Sequence, residues 1–579
     1  MNPFKRTLVT LFVGLVTMGS GASLAGSPRV LATTDDFRLD ADPTAGTISR
    51  SRAGIIANSR QRHAEAWSVQ AQTAPIAESV GVGDVFCLRF RARAVSHGPG
   101  SMHVLLAKND PWVPIEQQNG FQTVEVPSHW HEFVVCFRAD RDFAGGTIYA
   151  AMQLATRRQT IEIDDVQLVA YGDVDEATLP YAPLNYTPAD SAWHEAAQAE
   201  IARHRQSELS VRVVRANGTP VKNAIVDIQQ QCHAYAFGTF VGDTPIHDGE
   251  DADEFRQQTL RWFNRVTLPR YWADWGTDTT RGIVRADSIA EWAYREDLEL
   301  KSHVLLYPQC IPDRVKALAD DPTAFRHELD AAIARTLRRT KALQCVAWDG
   351  LNELRDVTLV ADVLGDSYYA SVFNFANQQQ PDAVWFLNEY GILTGGPRRA
   401  GYLETFRNQL RRIQRSGGIV EGLGLQGHFQ SELISMPQAT AILDDLASEG
   451  LPIEITEFDV DTRDEATQAA FTRDFLTAVF AHPSTTGFTT WGFWQGDMWR
   501  PNGAMIRRDW SLKPNGQVWQ ELVYDRWWTS EQLKTNDDGV ATTRVYKGRH
   551  RIKAAAEDFM RMGDFEITED SNTTLRIGI

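Results

Sequence analysis

Cysteine is scarce in this chain of 579 residues: there are five, Cys87, Cys136, Cys232, Cys310 and Cys345, and none stand at Cys-x-x-Cys spacing. That removes the common zinc and dithiol readings. Cationic residues are also short, with 58 Lys and Arg against 75 Asp and Glu and a formal net charge of −17. Nucleic-acid and anionic-membrane partners draw on clustered Lys and Arg, so both are excluded as expectations. A neutral polymer such as a polysaccharide meets no such barrier. No apolar run beyond the N-terminus offers a membrane span.

What the chain does have begins at its start. Lys5 and Arg6 precede an apolar stretch from Leu8 to Met18, followed by Gly-Ser-Gly-Ala-Ser-Leu-Ala ending at Ala25. This order predicts a signal peptide over 1–25, a secreted or periplasmic protein, and no membrane contact in the mature form; an uncleaved anchor is the alternative. In an oxidising compartment Cys87 and Cys136 could pair, since both lie in strand-like runs of one module; two buried thiols would fit the same pattern. The length leaves room for three or four modules at about 150 residues each, and 43% hydrophobic content supports their cores.

Residues 30–171 read as a β-sandwich of the jelly-roll kind. Alternation is clear in Asp84–Arg93, Glu132–Arg138 and Thr160–Val169. Residues 172–193 hold four acidic residues and three prolines with little periodicity, and read as a linker. A helix is predicted over His194–Arg205. The β-like stretches 206–230, with an Asn217-Gly218 turn, and 531–579 are each too small to bury a core, so they are expected to pack together as one small discontinuous β-sandwich flanking the segment between them.

That segment, 231–530, contains eight apolar runs at βα spacing, ending near Phe240, Trp272, Tyr307, Glu353, Tyr390, Phe429, Asp459 and Trp494. Helix-like stretches separate most of them, including Phe325–Leu343, Asp366–Gln380, Leu403–Gly417 and Ala466–Phe480. Eight such units predict a (β/α)8 TIM barrel, with chemistry at the strand C-terminal ends. Glu353 and Glu457 each close an apolar run about a hundred residues apart. Two carboxylates at one barrel mouth are the equipment of a retaining glycosidase, one as acid/base and one as nucleophile.

The segments Trp348-Asp-Gly-Leu-Asn-Glu353, Gly422-Leu-Gly-Leu-Gln-Gly-His-Phe429, Ile455-Thr-Glu-Phe-Asp459 and Trp491-Gly-Phe-Trp, followed by Trp499-Arg-Pro501, resemble glycoside hydrolase family 10, the endo-β-1,4-xylanases, over roughly residues 195–528. The resemblance implies that Glu353 is the general acid/base, Glu457 the nucleophile, and His428 the histidine that bonds the nucleophile and keeps it ionised and oriented. It further implies substrate contacts from Asn352, Asn388, Gln426, His303, Trp491 and Trp499, with no metal and no cofactor. The run Ile161–Leu168 is similar to the last strand of carbohydrate-binding modules of the family 4/9/22 type, for which Trp67, Trp112 and Trp130 are candidate sugar platforms.

Two stretches leave the family pattern. After the second strand the usual Glu-Asn is absent and the text reads Pro269-Arg270-Tyr271-Trp272; Arg270 or Trp272 could replace lost sugar contacts. The third strand, usually His-Thr-Leu-Val-Trp-His, reads His303-Val-Leu-Leu-Tyr307-Pro308, which removes the second histidine. The expected activity is hydrolysis of internal β-1,4 bonds in xylan or a related polysaccharide. The alternatives are a glycosidase on another β-glucan or a catalytically weak carbohydrate-binding protein.

Overall fold

The computed structural model describes residues 28–577 except 53, 62, 64, 97–99, 110, 116–120, 175–178, 180–183, 185, 243–248, 272–278, 397–398, 431, 557–558 and 570. The predicted signal peptide and Trp272 lie outside the described residues. The chain divides into two compact units, 1–182 and 183–579.

The first unit holds two six-stranded sheets around one core. In one sheet the neighbours run His131–Arg138, Val85–Ser96, Gln159–Gly172, Gly54–Ser59 and Gly46–Ser51; in the other, Arg38–Ala41, Val69–Gln72, Ile148–Gln153, Gly100–Lys108 and Val113–Pro114. Side chains alternate along each strand, so Phe86, Leu88 and Phe90 meet Val104, Leu106, Ala150 and Met152 in the interior. Cys87 and Cys136 face each other across an antiparallel pair and form a disulfide. Trp67 and Trp112 are about half exposed, whereas the ring of Trp130 is covered by the Arg91 and Arg93 guanidinium groups.

In the second unit, Asp190 caps a helix over Ser191–Arg205, its carboxylate accepting from the Trp193 N–H. Two sheets then join the ends of the unit. The strand Gln206–Arg215 lies between Val540–Tyr546 and Ser571–Ile577, and Ile225–His233 lies between Ser530–Lys534 and Gly548–Ala556, with Phe559–Ile567 outermost. Leu209, Val211, Val226, Ile228, Val545 and Ile552 form their shared core.

Eight parallel strands close the barrel: β1 (Ala236–Phe240), β2 (Arg265–Pro269), β3 (Glu299–Leu306), β4 (Ala347–Asn352), β5 (Val384–Glu389), β6 (Gly422–Phe429), β7 (Ile453–Val460) and β8 (Thr485–Thr490). Helices over Pro322–Thr340, Asp366–Gln379, Arg399–Arg415 and Glu465–Ala481 pack outside them. The first and last of these start on Asp321, with Pro322 at the first helical position, and on Asp464, whose carboxylates accept the free N–H groups of the opening turn. Two boundaries differ from the sequence expectation. β2 stops at Pro269 rather than near Trp272, because proline donates nothing to the ladder. β8 stops at Thr490 rather than near Trp494, where Trp491 and then Gly492, at φ 99°, turn the chain away.

The barrel interior carries a buried chain of charges. Lys301 Nζ lies 3.0 Å from Glu454 and 3.1 Å from Asp349, Arg265 reaches Glu454 at 2.7 Å, and Asp349 bonds His303 Nδ1 at 2.8 Å. Each charge is matched, as burial in a low dielectric requires. The column ends at His303, directly against the mouth.

Candidate active site

Glu457 sits within β7, and its neighbours come from the two preceding strands, β6 and β5. His428, on β6, places Nε2 3.1 Å from Glu457 Oε2 and Nδ1 2.7 Å from Asp459 Oδ2. Burial alone would depress the imidazole, but the Asp459 charge and bond, with Glu457 next, push it up to about 9. The ring is therefore a cation at neutral pH, donating to a carboxylate on either side. Asn388, at the end of β5, donates to Glu457 Oε1 and to Asn352 Oδ1, both at 2.8 Å, and its own carbonyl accepts from Thr456 at 2.7 Å.

Glu353 is the first residue beyond β4. Its φ of 52° lies in the left-handed region, an uncommon state for a non-glycine residue that occurs at functional sites. Its N–H is held by the Asn388 carbonyl at 3.0 Å. Oε1 accepts from Gln426 Nε2 at 2.8 Å, and Oε2 from the Tyr307 hydroxyl at 2.7 Å and Gln309 Nε2 at 3.3 Å. Burial raises the Glu353 carboxyl above its ordinary range; the Gln426 bond opposes this, the Glu457 charge adds to it, and the Tyr307 bond opposes it again. Mutual influence of this kind separates an acid from a nucleophile.

The aromatic walls are unlike each other. Trp491 is 8% exposed and stacks on Phe240, with centroids 4.3 Å apart. Trp499 is 53% exposed, yet its indole N–H donates to Asp459 Oδ2 at 2.9 Å, and Arg500 reaches Asp459 Oδ1 at 3.3 Å. Asp459 thus ties His428, Trp499 and Arg500 together.

His428, Gln426, Asn352 and Asn388 gather around the two glutamates. His303 is 2% exposed and lies edge-on to Trp491 and Tyr271. Burial lowers its basicity, but the Asp349 bond and the Glu457 charge hold it above the ordinary value. Asn388 is fully buried, with its amide engaged by Asn352, Glu457 and Thr456, so the structure places it beneath the nucleophile candidate rather than in the open cleft. Arg270 points into the helix layer, where Asp287 takes its guanidinium at 2.9 Å and also binds Arg339 at 2.6 Å; it does not replace a lost sugar contact.

Sequence reasoning gave no role to Asp459, Tyr307 or Gln309. The signal for Asp459 was its position two residues after Glu457, which puts both on one face of β7. Among the described residues no cluster of His, Cys, Asp and Glu could hold a metal ion.

Residues 275–525 match the model of glycosyl hydrolase family 10. The chain is 27% identical over 366 residues to Anti-sigma-I factor RsgI6 of Acetivibrio thermocellus, covering 62% of this chain and 46% of that protein. It is 24% identical over 494 residues to Endo-1,4-beta-xylanase 3 of Arabidopsis thaliana, covering 84% and 61%. The chain thus spans about half of the first relative and three-fifths of the second. Among solved structures, xylanase 10B from Thermotoga petrophila RKU-1 in complex with xylobiose aligns at 19% identity and a TM-score of 0.45, over 50% of this chain and 94% of that one. The family match begins after β2, the strand whose end departs from the family's text. Residues 275–525, from beyond β2 to the end of the barrel, are thus a glycosyl hydrolase family 10 domain.

Proposed function

We propose that the chain is a secreted retaining glycoside hydrolase that cleaves internal β-1,4 bonds of xylan or a related polysaccharide. The observation that carries this is the unequal equipment of the two carboxylates. Glu457 receives an imidazolium N–H from His428 and an amide N–H from Asn388, while the donors to Glu353 among the described residues, Tyr307, Gln426 and Gln309, are uncharged. In the first step Glu457 attacks the anomeric carbon while Glu353 gives its proton to the departing glycosidic oxygen. In the second, Glu353 takes a proton from water, which attacks the glycosyl ester and frees Glu457. Retaining enzymes place such carboxyl groups about 5 to 5.5 Å apart.

Xylan is the first substrate to test because the Arabidopsis relative is named an endo-1,4-beta-xylanase. Export rests on Lys5, Arg6 and the apolar run Leu8–Met18. The N-terminal sandwich is proposed as a carbohydrate-binding module, with exposed Trp67 and Trp112 as platforms. Tethering it to the barrel raises the local concentration of an insoluble substrate.

A second reading is a barrel that binds polysaccharide with little turnover, favoured by the missing Glu-Asn after β2 and by the relative named as an anti-sigma factor. Reducing-sugar release from a panel of xylans and β-glucans, by the wild type, Glu353→Gln and Glu457→Gln, separates the two. Hydrolysis predicts release by the wild type alone; equal release by all three on every polymer leaves the binding reading.

A further inference from the structure

We propose that Tyr307 is a positioning residue for the acid/base, its hydroxyl holding the Glu353 carboxyl in one orientation where the family's third strand carries tryptophan. This rests on the role proposed above for Glu353. The sequence suggests only a loss here, since Tyr307-Pro308 interrupts the family's Trp-His. The geometry points to a replacement.

Tyr307 is the first residue beyond β3, with φ −129° and ψ 104°. Pro308 confines the residue before it to this extended region, so the direction of the Tyr307 side chain is restricted by its neighbour. The Cys310 N–H donates to the Tyr307 carbonyl at 3.0 Å, closing a 3-10 turn over Pro308–Cys310. That turn carries Gln309, whose amide reaches Oε2 and the main-chain oxygen of Glu353, each at 3.3 Å. One rigid strand end thus brings two donors to the same carboxylate, and the shorter bond, 2.7 Å, is the phenol's.

The phenol is suited to the task because it keeps its proton. Burial, and then the negative charge of Glu353, hold its ionisation far above the working range of a glycosidase. A bond that favours the charged carboxylate lowers its proton affinity, against the burial and Glu457 charge that raise it. Among the described residues, the ionisable groups that interact with Glu353 include Glu457 on β7, His303 on β3, Glu389 on β5 and Tyr271 beyond β2. Tyr307→Phe leaves all of them in place and deletes a single O–H.

The test is the pH profile of kcat/KM on an aryl β-xyloside oligomer, for the wild type and Tyr307→Phe. The alkaline limb reports loss of the proton that the general acid must hold. We expect that limb to move to higher pH by about half a unit to one unit in the variant. A limb that stays in place or moves to lower pH in a folded, active variant overturns the proposal, because a merely structural tyrosine changes rate without moving it. A second measurement needs no turnover: 13C titration of the Glu353 carboxyl, assigned by its loss in Glu353→Gln, is expected to show the same upward shift in Tyr307→Phe. If the wild type releases no more product than Glu353→Gln on any substrate, the hydrolase reading fails, while the carboxyl titration still decides the role of Tyr307.

Discussion

The His428 imidazole bridges Glu457, at 3.1 Å, and Asp459, at 2.7 Å, so that one ring joins two carboxylates carried on the same face of β7. This gives Asp459 a share in orienting the nucleophile candidate although it faces His428, Trp499 and Arg500 rather than Glu457.

Replacing Asp459 by Asn removes the charge that holds His428 protonated and disturbs the anchors of Trp499 and Arg500. Asp459→Asn is expected to lower kcat by about 10- to 100-fold, with the loss growing as pH rises above the ordinary histidine range. Steady-state kinetics between pH 5 and 9 check this. A variant with wild-type kcat throughout would show that the bridge is not needed.

Glu389 provides a pH-dependent stability effect. Burial raises its carboxyl from 4.5 to about 7, against the Arg355 charge and with help from Glu353. A group whose folded pKa is raised binds its proton more tightly in the native state, so its contribution is complete below pH 4.5 and is lost as pH rises through about 7. Glu389→Gln cannot titrate. Thermal unfolding of both proteins is expected to show the wild type losing about 1–3 kcal/mol relative to the variant between pH 4.5 and 8; parallel curves would contradict it.

The (β/α)8 barrel was legible because each strand is an apolar run of ordinary length and helix-like stretches separate most of them. Glu353 and Glu457 stood out as candidates by where those runs end, and His428 by the resemblance of the segment Gly422–Phe429. The boundaries of β2 and β8 were not, since Trp272 and Trp494 look apolar and strand-like in text, while Pro269 and Gly492 end the ladder by backbone geometry. Tyr307 was hidden for a different reason. Comparison with the family's text shows only a tryptophan changed to tyrosine beside a lost histidine, whereas the aim of the β3 end shows a hydroxyl arriving at Glu353.

The charges inside the barrel are predicted to be mutually dependent. Lys301→Met leaves Asp349 and Glu454 buried, the first with His303 and the second with Arg265 as the remaining charged partner among the described residues. Loss of one member of a buried network typically costs about 3–5 kcal/mol, readable as a lower urea midpoint. The triple change Lys301→Met, Asp349→Leu, Glu454→Leu should recover part of that loss; no recovery would mean that the charges act independently.

The central claim is that Glu457 forms a covalent bond with the sugar. Incubation with a 2-deoxy-2-fluoro β-xylobioside carrying a good leaving group, followed by peptide mass spectrometry, tests it directly. The account predicts one fluoroglycosyl group on the peptide containing Glu457, and none in Glu457→Gln. A label on another residue, or steady turnover of xylan with no label on Glu457, would contradict it.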